Sequence, residues 1–144
     1  TDVHVIGFDQ DHQALLSART ASQKLGIDAR ITLEKCAVKN FSLPKNLLKT
    51  PGLIITNPPY GLRLLTGNSA AVSTLLQTLG ERLKTPEFNA WQLYLMSHAR
   101  ELVKALGIRM EKSYRFKNAD LLCELLYFNI IPERFWHADF PPKQ

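Results

Sequence analysis

An apolar stretch that runs straight into two prolines is the sequence feature that most constrains this chain. Residues 53–64 read LIITNPPYGLRL. The apolar, β-branched start predicts a strand, and a strand this apolar is expected to be central and parallel in its sheet. The strand then ends at Asn57, Pro58, Pro59 and Tyr60, because proline fixes φ and has no N–H to continue the hydrogen bonds of a sheet. The strand therefore delivers a rigid polar loop, whose chemistry depends on where it lies in the fold.

Strand and helix patterns alternate along the rest of the chain. This alternation indicates an α/β fold with a mostly parallel sheet, right-handed crossovers and helices on both faces. Ligands of such sheets bind beyond the carboxyl ends of the strands. Asp9 and Asn57 fall at such ends. We predict strands at 3–9, 29–36, 52–56 and 90–96, helices at 10–26, 69–84 and 97–107 (capped by Ser97 and closed by Gly107), and an antiparallel hairpin from 108–118 and 121–131.

Composition narrows the functional classes without choosing one. The chain has 144 residues and a formal net charge of +5, which suits a single soluble domain and tolerates a polyanionic partner. No apolar run is long enough for a membrane span and no signal-peptide pattern is present, so we expect no membrane partner. Cys36 and Cys123 lie far apart without a CxxC pair. We therefore predict no metal site, reduced thiols and a cytoplasmic location.

Several segments together resemble the class I S-adenosylmethionine-dependent methyltransferases. The chain is most similar to bacterial 23S ribosomal RNA guanine-N2 methyltransferases of the THUMP-containing kind. The resemblance implies a Rossmann-like class I fold, with a truncated methyltransferase domain at 1–131 and a linker or tail at 132–144. It runs over nearly the whole chain and is carried by GFDQD, ART, ITLEKCAVKNFSLP, LIITNPPYGLRL, FNAWQLYLMS and KSYRFKNADLLCELLYF.

The resemblance implies a catalytic loop that acts on an exocyclic amine of a nucleobase. Such an amine is a poor nucleophile, and two acceptors on its N–H groups favour attack and stabilise the developing charge. The Asn57 side chain and the Pro58 carbonyl are the expected acceptors, while Pro59 keeps the loop rigid. Tyr60 offers a ring for stacking of the flipped base. Substrate contacts are expected from Tyr60, Gly61, Arg63, Lys117 and Asn118.

The same resemblance implies where S-adenosylmethionine would bind. Asp9 is expected to accept hydrogen bonds from the ribose hydroxyls, as acids do in nucleotide-binding sheets. An alternative role for Asp9 is to cap the helix that follows, with Asp11 acting on the helix dipole. Cys36 stands where the family usually has an aspartate, so the adenine is held by main-chain groups near Ala37 and apolar contacts, or cofactor binding is weaker. Asn57 is expected on the cofactor side as well, and Cys36 could equally be a small core residue.

The glycine-rich loop of the family's first strand has no counterpart in this sequence. The seven glycines do not form GxGxxG, and we expect the first strand to be missing from the chain. Two outcomes stay open: residues 3–9 pair directly with 52–56, or another chain fills the place and produces a homo-oligomer. The isolated chain is expected to bind S-adenosylmethionine weakly or not at all and to be inactive.

The combined interpretation is S-adenosylmethionine-dependent methyl transfer to guanine N2 of 23S rRNA by the full-length parent, with RNA as partner. One alternative is an adenine-N6 DNA methyltransferase, since Asn-Pro-Pro-Tyr serves both amines. A second alternative is a non-catalytic fragment that binds RNA or pairs with another chain. Alternation along 108–117 places Arg109, Arg115 and Lys117 on one strand face, where they could contact RNA phosphates.

Overall fold

The computed structural model describes residues 3–47, 50–59, 69–97 and 99–136. The chain divides into two compact units, Thr1–Ser42 and Leu43–Gln144. In the described part, none of the helices is both long and apolar enough to cross a membrane. The main elements are β1 (Val5–Asp9), α1 (His12–Lys24), β2 (Ile31–Lys35), β3 (Leu53–Thr56), α2 (Ser69–Leu83), β4 (Trp91–Ser97), β5 (Lys112–Asn118) and β6 (Leu121–Ile130), with 3₁₀ segments at Asp28–Arg30, Lys45–Leu47, Pro86–Phe88, Arg100–Leu106 and Pro132–Arg134.

The first unit is a strand–helix–strand element with a two-stranded parallel sheet. β1 and β2 pair from Val5 opposite Ile31 to Asp9 opposite Lys35. The helix between them ends as its sequence predicts, at a glycine: Gly26 has φ 67°, and the Ile27 amide donates to the carbonyl of Ser22 at 3.0 Å. This closing pattern satisfies carbonyls that the last helical turn leaves free. A local signal, the glycine at position 26, thus sets the end of this helix.

The second unit is a mixed four-stranded sheet with the order β3-β4-β6-β5. β3 and β4 are parallel, and the two other pairs are antiparallel. Alternate residues of the inner strands and the buried side of α2 supply most of the apolar core of the unit. The predicted hairpin is confirmed, with Ala119 at φ 53° in its two-residue turn. The fully buried side chains in this core include Leu76, Leu83, Phe88, Leu93, Leu95, Leu106, Leu126 and Ile130.

The predicted helix at 97–107 is wrong in type and in starting point. Ser97 is the last residue of β4, and its hydroxyl accepts from the Ala99 amide at 3.0 Å, so it does not cap a helix. The helical segment is a 3₁₀ helix at Arg100–Leu106, whose Ala99 cap lacks a side-chain hydrogen bond. Because β4 includes Ser97 and Ala99 has no side-chain acceptor, the helical segment begins without a cap and later than predicted. The predicted end at Gly107 is confirmed, with φ 69°.

The prediction that the strand in 52–56 is central is also wrong for the structure as described. β3 is parallel, as expected, but it lies at an edge of its sheet, with β4 as its neighbour. Leu53 and Ile55 are 51% and 71% exposed, because they lie on the sheet face that points away from the buried residues of β4. β1 pairs with β2 in a separate sheet. Among the described residues, direct pairing of 3–9 with 52–56 is therefore not the arrangement found.

Candidate functional site

The carboxyl ends of three strands lie along the same side of the four-stranded sheet, which we call its carboxyl edge. β3 and β4 run in the same direction, with Thr56 opposite Leu95. β5 also runs in that direction, because both β4 and β5 are antiparallel to β6. Asn57 directly follows β3, and the tip of the β5–β6 hairpin lies at the same edge. The topology therefore places the Asn-Pro-Pro loop and the hairpin tip along one side of the second unit.

The described part of the loop combines an exposed amide with a buried proline. Asn57 and Pro59 are exposed, whereas Pro58 is buried. A buried proline with a fixed φ anchors the loop at the point where the strand ends. The Asn57 side chain is therefore presented to solvent from a fixed backbone. Tyr60, Gly61 and Arg63, for which the resemblance implies substrate contacts and, for Tyr60, a catalytic role, lie outside the described residues.

The cofactor residues predicted in the first unit come together at the carboxyl ends of β1 and β2. The Cys36 amide donates to the carbonyl of Asp9 at 2.9 Å. The exposed Asp9 carboxylate accepts from the Asp11 amide at 2.8 Å, and Asp11 in turn accepts from the Gln13 amide at 2.9 Å. The helix cap is therefore Asp11, which leaves the Asp9 carboxylate at the strand end.

Cys36 and Ala37 continue from β2 as a partly buried turn. Cys36 is half-buried and its thiol contacts the Ala37 carbonyl at 3.4 Å. This environment suits a small polarisable side chain that lines a strand end. Across the described ranges, no three His, Cys, Asp or Glu side chains are grouped as a metal site would require.

Of the basic residues predicted on the hairpin face, two are on β5 and one is not. Arg115 lies opposite Glu124, and the exposed Lys117 lies opposite Leu122, close to the hairpin tip. Arg109 precedes the strand, and its guanidinium donates to the carbonyl of Glu133. The prediction that Arg109 shares a strand face with Arg115 and Lys117 is therefore wrong, because β5 begins only at Lys112. Asn118 is the last residue of β5.

Sequence reasoning missed two further charged residues at this edge. Glu124 accepts hydrogen bonds from both Arg100 and Arg115, each at 3.4 Å, through the same carboxylate oxygen. The signal in the sequence was an acid in the middle of the apolar run LLCELLYF, a place where a charge needs partners. The site in the second unit therefore combines an exposed amide with an organised group of arginines.

Comparison with known proteins gives matches over almost the entire chain. A family model described as UPF0020: RMKL-like, methyltransferase domain matches residues 1–126. The ribosomal RNA large subunit methyltransferase K/L of Syntrophotalea carbinolica is 38% identical over 137 residues, which is 95% of this chain and 19% of that protein. The protein with the same name from Chromohalobacter salexigens is 40% identical over 128 residues, which is 89% of this chain and 17% of that protein. The chain thus spans less than a fifth of the length of these relatives.

A solved structure is similar in three dimensions. The crystal structure of SMU.472 in complex with SAH superposes with a TM-score of 0.76 and 25% sequence identity, covering 89% of this chain and 32% of that one. The shared architecture is the α/β class I methyltransferase fold, with antiparallel strands at its C-terminal end. By the match to the family model and by its relatives, this chain belongs to the UPF0020 family of RMKL-like methyltransferase domains.

Proposed function

We propose that this chain is part of an S-adenosylmethionine-dependent methyltransferase that acts on an exocyclic amine of a nucleobase, guanine N2 of 23S rRNA. The observation that carries this proposal is the exposed Asn57, which directly follows a parallel strand at the edge where β4 and β5 also end. Relatives named for large-subunit ribosomal RNA methylation are similar over this whole region. The names of these relatives suggest the substrate class, and the residues of the Asn-Pro-Pro loop suggest the type of reaction.

Asn57 and Pro58 would act by holding the amine in a reactive shape. The guanine N2 lone pair is delocalised into the ring, and hydrogen bonds from both its N–H groups to acceptors favour a pyramidal nitrogen. The Asn57 side-chain oxygen is one acceptor and the Pro58 carbonyl is the other. Because Pro58 is buried and its φ is fixed, the backbone at Asn57 and Pro58 is held in place when the base arrives. Catalysis then depends on positioning and on acceptors that are in place before the reaction.

The residues at the ends of β1 and β2 fit the nucleoside part of S-adenosylmethionine. An exposed carboxylate at Asp9 suits a pair of ribose hydroxyls, and the turn at Cys36 and Ala37 offers main-chain groups and apolar surface to a purine. When bound, S-adenosylmethionine supplies the methyl group. The contribution of these three residues is to bind and orient it.

We further propose that a strand outside this chain pairs along β3 in the full-length protein. The support is the position of β3 at the edge of its sheet, where β4 is its neighbour among the described strands, together with the much greater length of the relatives. An apolar edge strand of this kind invites pairing with another strand. Pairing with a second copy of the chain would use the same edge.

Methylation of 23S rRNA by the full-length protein tests the function. Wild-type protein is incubated with unmodified 23S rRNA and methyl-labelled S-adenosylmethionine, and a nucleoside digest identifies the product. Asn57→Ala should lower the single-turnover rate by roughly 10²- to 10³-fold, the scale of losing one preorganised polar group. The matched control is Asn89→Ala, an exposed asparagine just before β4 at the opposite edge of the sheet, and it should keep the wild-type rate.

Three results would contradict the proposal. One is the absence of N2-methylguanosine from the digest of rRNA treated with wild-type protein. Another is transfer to adenine N6 of DNA in place of rRNA. The third is a wild-type single-turnover rate for Asn57→Ala, which would remove the role assigned to that amide.

A further inference from the structure

Glu124 is a carboxylate in the middle of an apolar strand that pairs on both sides. It lies in β6, opposite Ser97 of β4 and opposite Arg115 of β5. Its side chain is only 13% exposed. A largely buried carboxylate is costly unless charged or hydrogen-bonding partners compensate for lost water. The partners of Glu124 therefore indicate what it does.

Both partners of Glu124 are arginines, and both reach the same oxygen. Arg100 Nη1 and Arg115 Nε each lie 3.4 Å from Glu124 Oε1. The Arg100 side chain is 49% exposed and the Arg115 side chain 70% exposed, so both guanidinium groups also face solvent. Arg100 is further steadied by Met110, whose sulfur lies 3.8 Å from Nη2.

Each arginine keeps donors for a second partner. A guanidinium has five N–H donors in a planar fork that matches the oxygens of a phosphate. Among the described residues, the bonds to Glu124 and Met110 use two donors of Arg100 and one of Arg115. The shared carboxylate oxygen draws the two head groups toward one point without occupying their remaining donors.

The arginine pair lies at the edge of the sheet that carries the catalytic loop. Glu124 is opposite Ser97, the last residue of β4, and Arg115 lies three residues before the end of β5. Lys117 is two residues further along β5 and so lies on the same face as Arg115. Three basic side chains and one acidic side chain thus lie near the carboxyl ends of the strands, on the side of the sheet where Asn57 follows β3.

We infer that Glu124 is a positioning residue that holds Arg100 and Arg115 as a two-arginine clamp for the RNA backbone next to the target base. This inference rests on the proposed function, since it takes RNA as the substrate. Phosphate contacts set the register of a protein on a nucleic acid without reading its sequence. A clamp beside the catalytic edge would fix the strand that carries the guanine while the base enters the loop.

If Glu124 acted only through its negative charge, its removal would have the opposite effect on RNA binding. A carboxylate close to a polyanion repels it, so removal of the charge should strengthen RNA binding. If Glu124 acts through the arginines, the hydrogen-bond acceptor matters and removal of that acceptor should weaken binding. The two explanations differ in sign.

A pair of variants separates acceptor from charge. Glu124→Gln and Glu124→Met remove the same charge and have similar length, but only glutamine retains an oxygen acceptor. The full-length protein and an unmodified 23S rRNA transcript are used at several salt concentrations. The matched control, Glu133→Gln, removes an exposed acid just beyond the far end of β6, near the opposite sheet edge.

The clamp predicts rescue by glutamine. Glu124→Gln should bind within about twofold of wild type, whereas Glu124→Met should bind roughly five- to tenfold more weakly. The log–log salt slope for Glu124→Met should also be shallower by about 0.7 for each phosphate group that the variant no longer neutralises. Its KM for RNA should rise while kcat changes little, because the clamp binds the backbone and does not touch the amine.

Equal binding by the glutamine and methionine variants, or tighter binding by both, overturns the inference. If Glu124→Met does not fold, Arg115→Lys and Arg115→Gln decide, because lysine keeps the charge but lacks the guanidinium fork. The clamp expects Arg115→Lys to lose most of the affinity that Arg115→Gln loses, and wild-type affinity for Arg115→Lys overturns it. The wild-type protein in the same assay tests the proposed function separately: failure to methylate the transcript refutes that function, whereas an active wild type with equal Glu124 variants refutes only the clamp.

Discussion

Gly80→Ala is the substitution whose effect can be worked out most directly from the structure. Gly80 is buried in α2, which packs against the 3₁₀ segment Arg100–Leu106. A Cβ at Gly80 would lie 1.9 Å from the Leu106 carbonyl oxygen, 2.7 Å from its carbonyl carbon and 3.1 Å from its Cα. All three are backbone atoms, so no side-chain rotation can relieve the clash.

Two effects of opposite sign set the magnitude. In an exposed helix, alanine is favoured over glycine by about 1 kcal/mol. An ordinary contact of a Cβ begins at 3.4 Å, so the segment carrying Leu106 would have to move by about 1.5 Å. Overpacking of this kind costs about 1–3 kcal/mol, and a backbone clash belongs at the upper end. We therefore expect Gly80→Ala to lower the free energy of unfolding by about 2 kcal/mol.

Urea unfolding followed by tryptophan emission measures the stability of the unit Leu43–Gln144, which contains Gly80. Trp91 and Trp136 both lie in the unit Leu43–Gln144, so their emission reports on that unit. Thr74→Ala is the control, since it places alanine at an exposed position of the same helix and should change stability by less than about 0.5 kcal/mol. A Gly80→Ala protein as stable as wild type, or more stable, would refute the close backbone packing of α2 on the 3₁₀ segment.

Three further predictions concern the loop, the open edge and one lysine. Tyr60→Phe should have a small effect on binding of the flipped base and Tyr60→Ala should cost about 1–3 kcal/mol, measured as KM for RNA; equal large losses would indicate a role for the hydroxyl. Ile55→Lys, at a 71% exposed position of the β3 edge, should reduce self-association of the isolated chain in light scattering, and unchanged association would exclude that edge. Burial lowers the pKa of Lys84, with Glu81 partly opposing the shift. Between the lowered pKa of Lys84 in the folded state and its ordinary value of 10.5, the unfolded chain binds more protons, so stability should rise as the pH increases through this range. Lys84→Met should flatten this rise in urea midpoints, and an unchanged slope would contradict it.

Features set by neighbouring residues could be predicted, and features set by distant partners could not. Gly26 and Gly107 end helical segments because a left-handed backbone is a local requirement that glycine meets at low cost. The same kind of local signal predicts a helix cap at Ser97, but pairing of β4 with β6 extends the strand through it. The exposure of Ile55 was equally out of reach, since the apolar strand pattern reports a need for burial and not whether a neighbour meets it.

The same distinction between local and distant partners applies to the residues of the candidate site. The place of Asn57 at a strand end was predictable, because the apolar run and the prolines are adjacent in sequence. The contact of Arg115 with Glu124 was also within reach, since a two-residue turn after Asn118 fixes the register of the hairpin and sets these two residues opposite each other. Arg100 was not, because its approach to Glu124 depends on how β4 pairs with β6 and on where the 3₁₀ segment begins. The part of the proposed clamp that lies within one hairpin is determined by the local sequence, and the second arginine joins it only once the sheet has assembled.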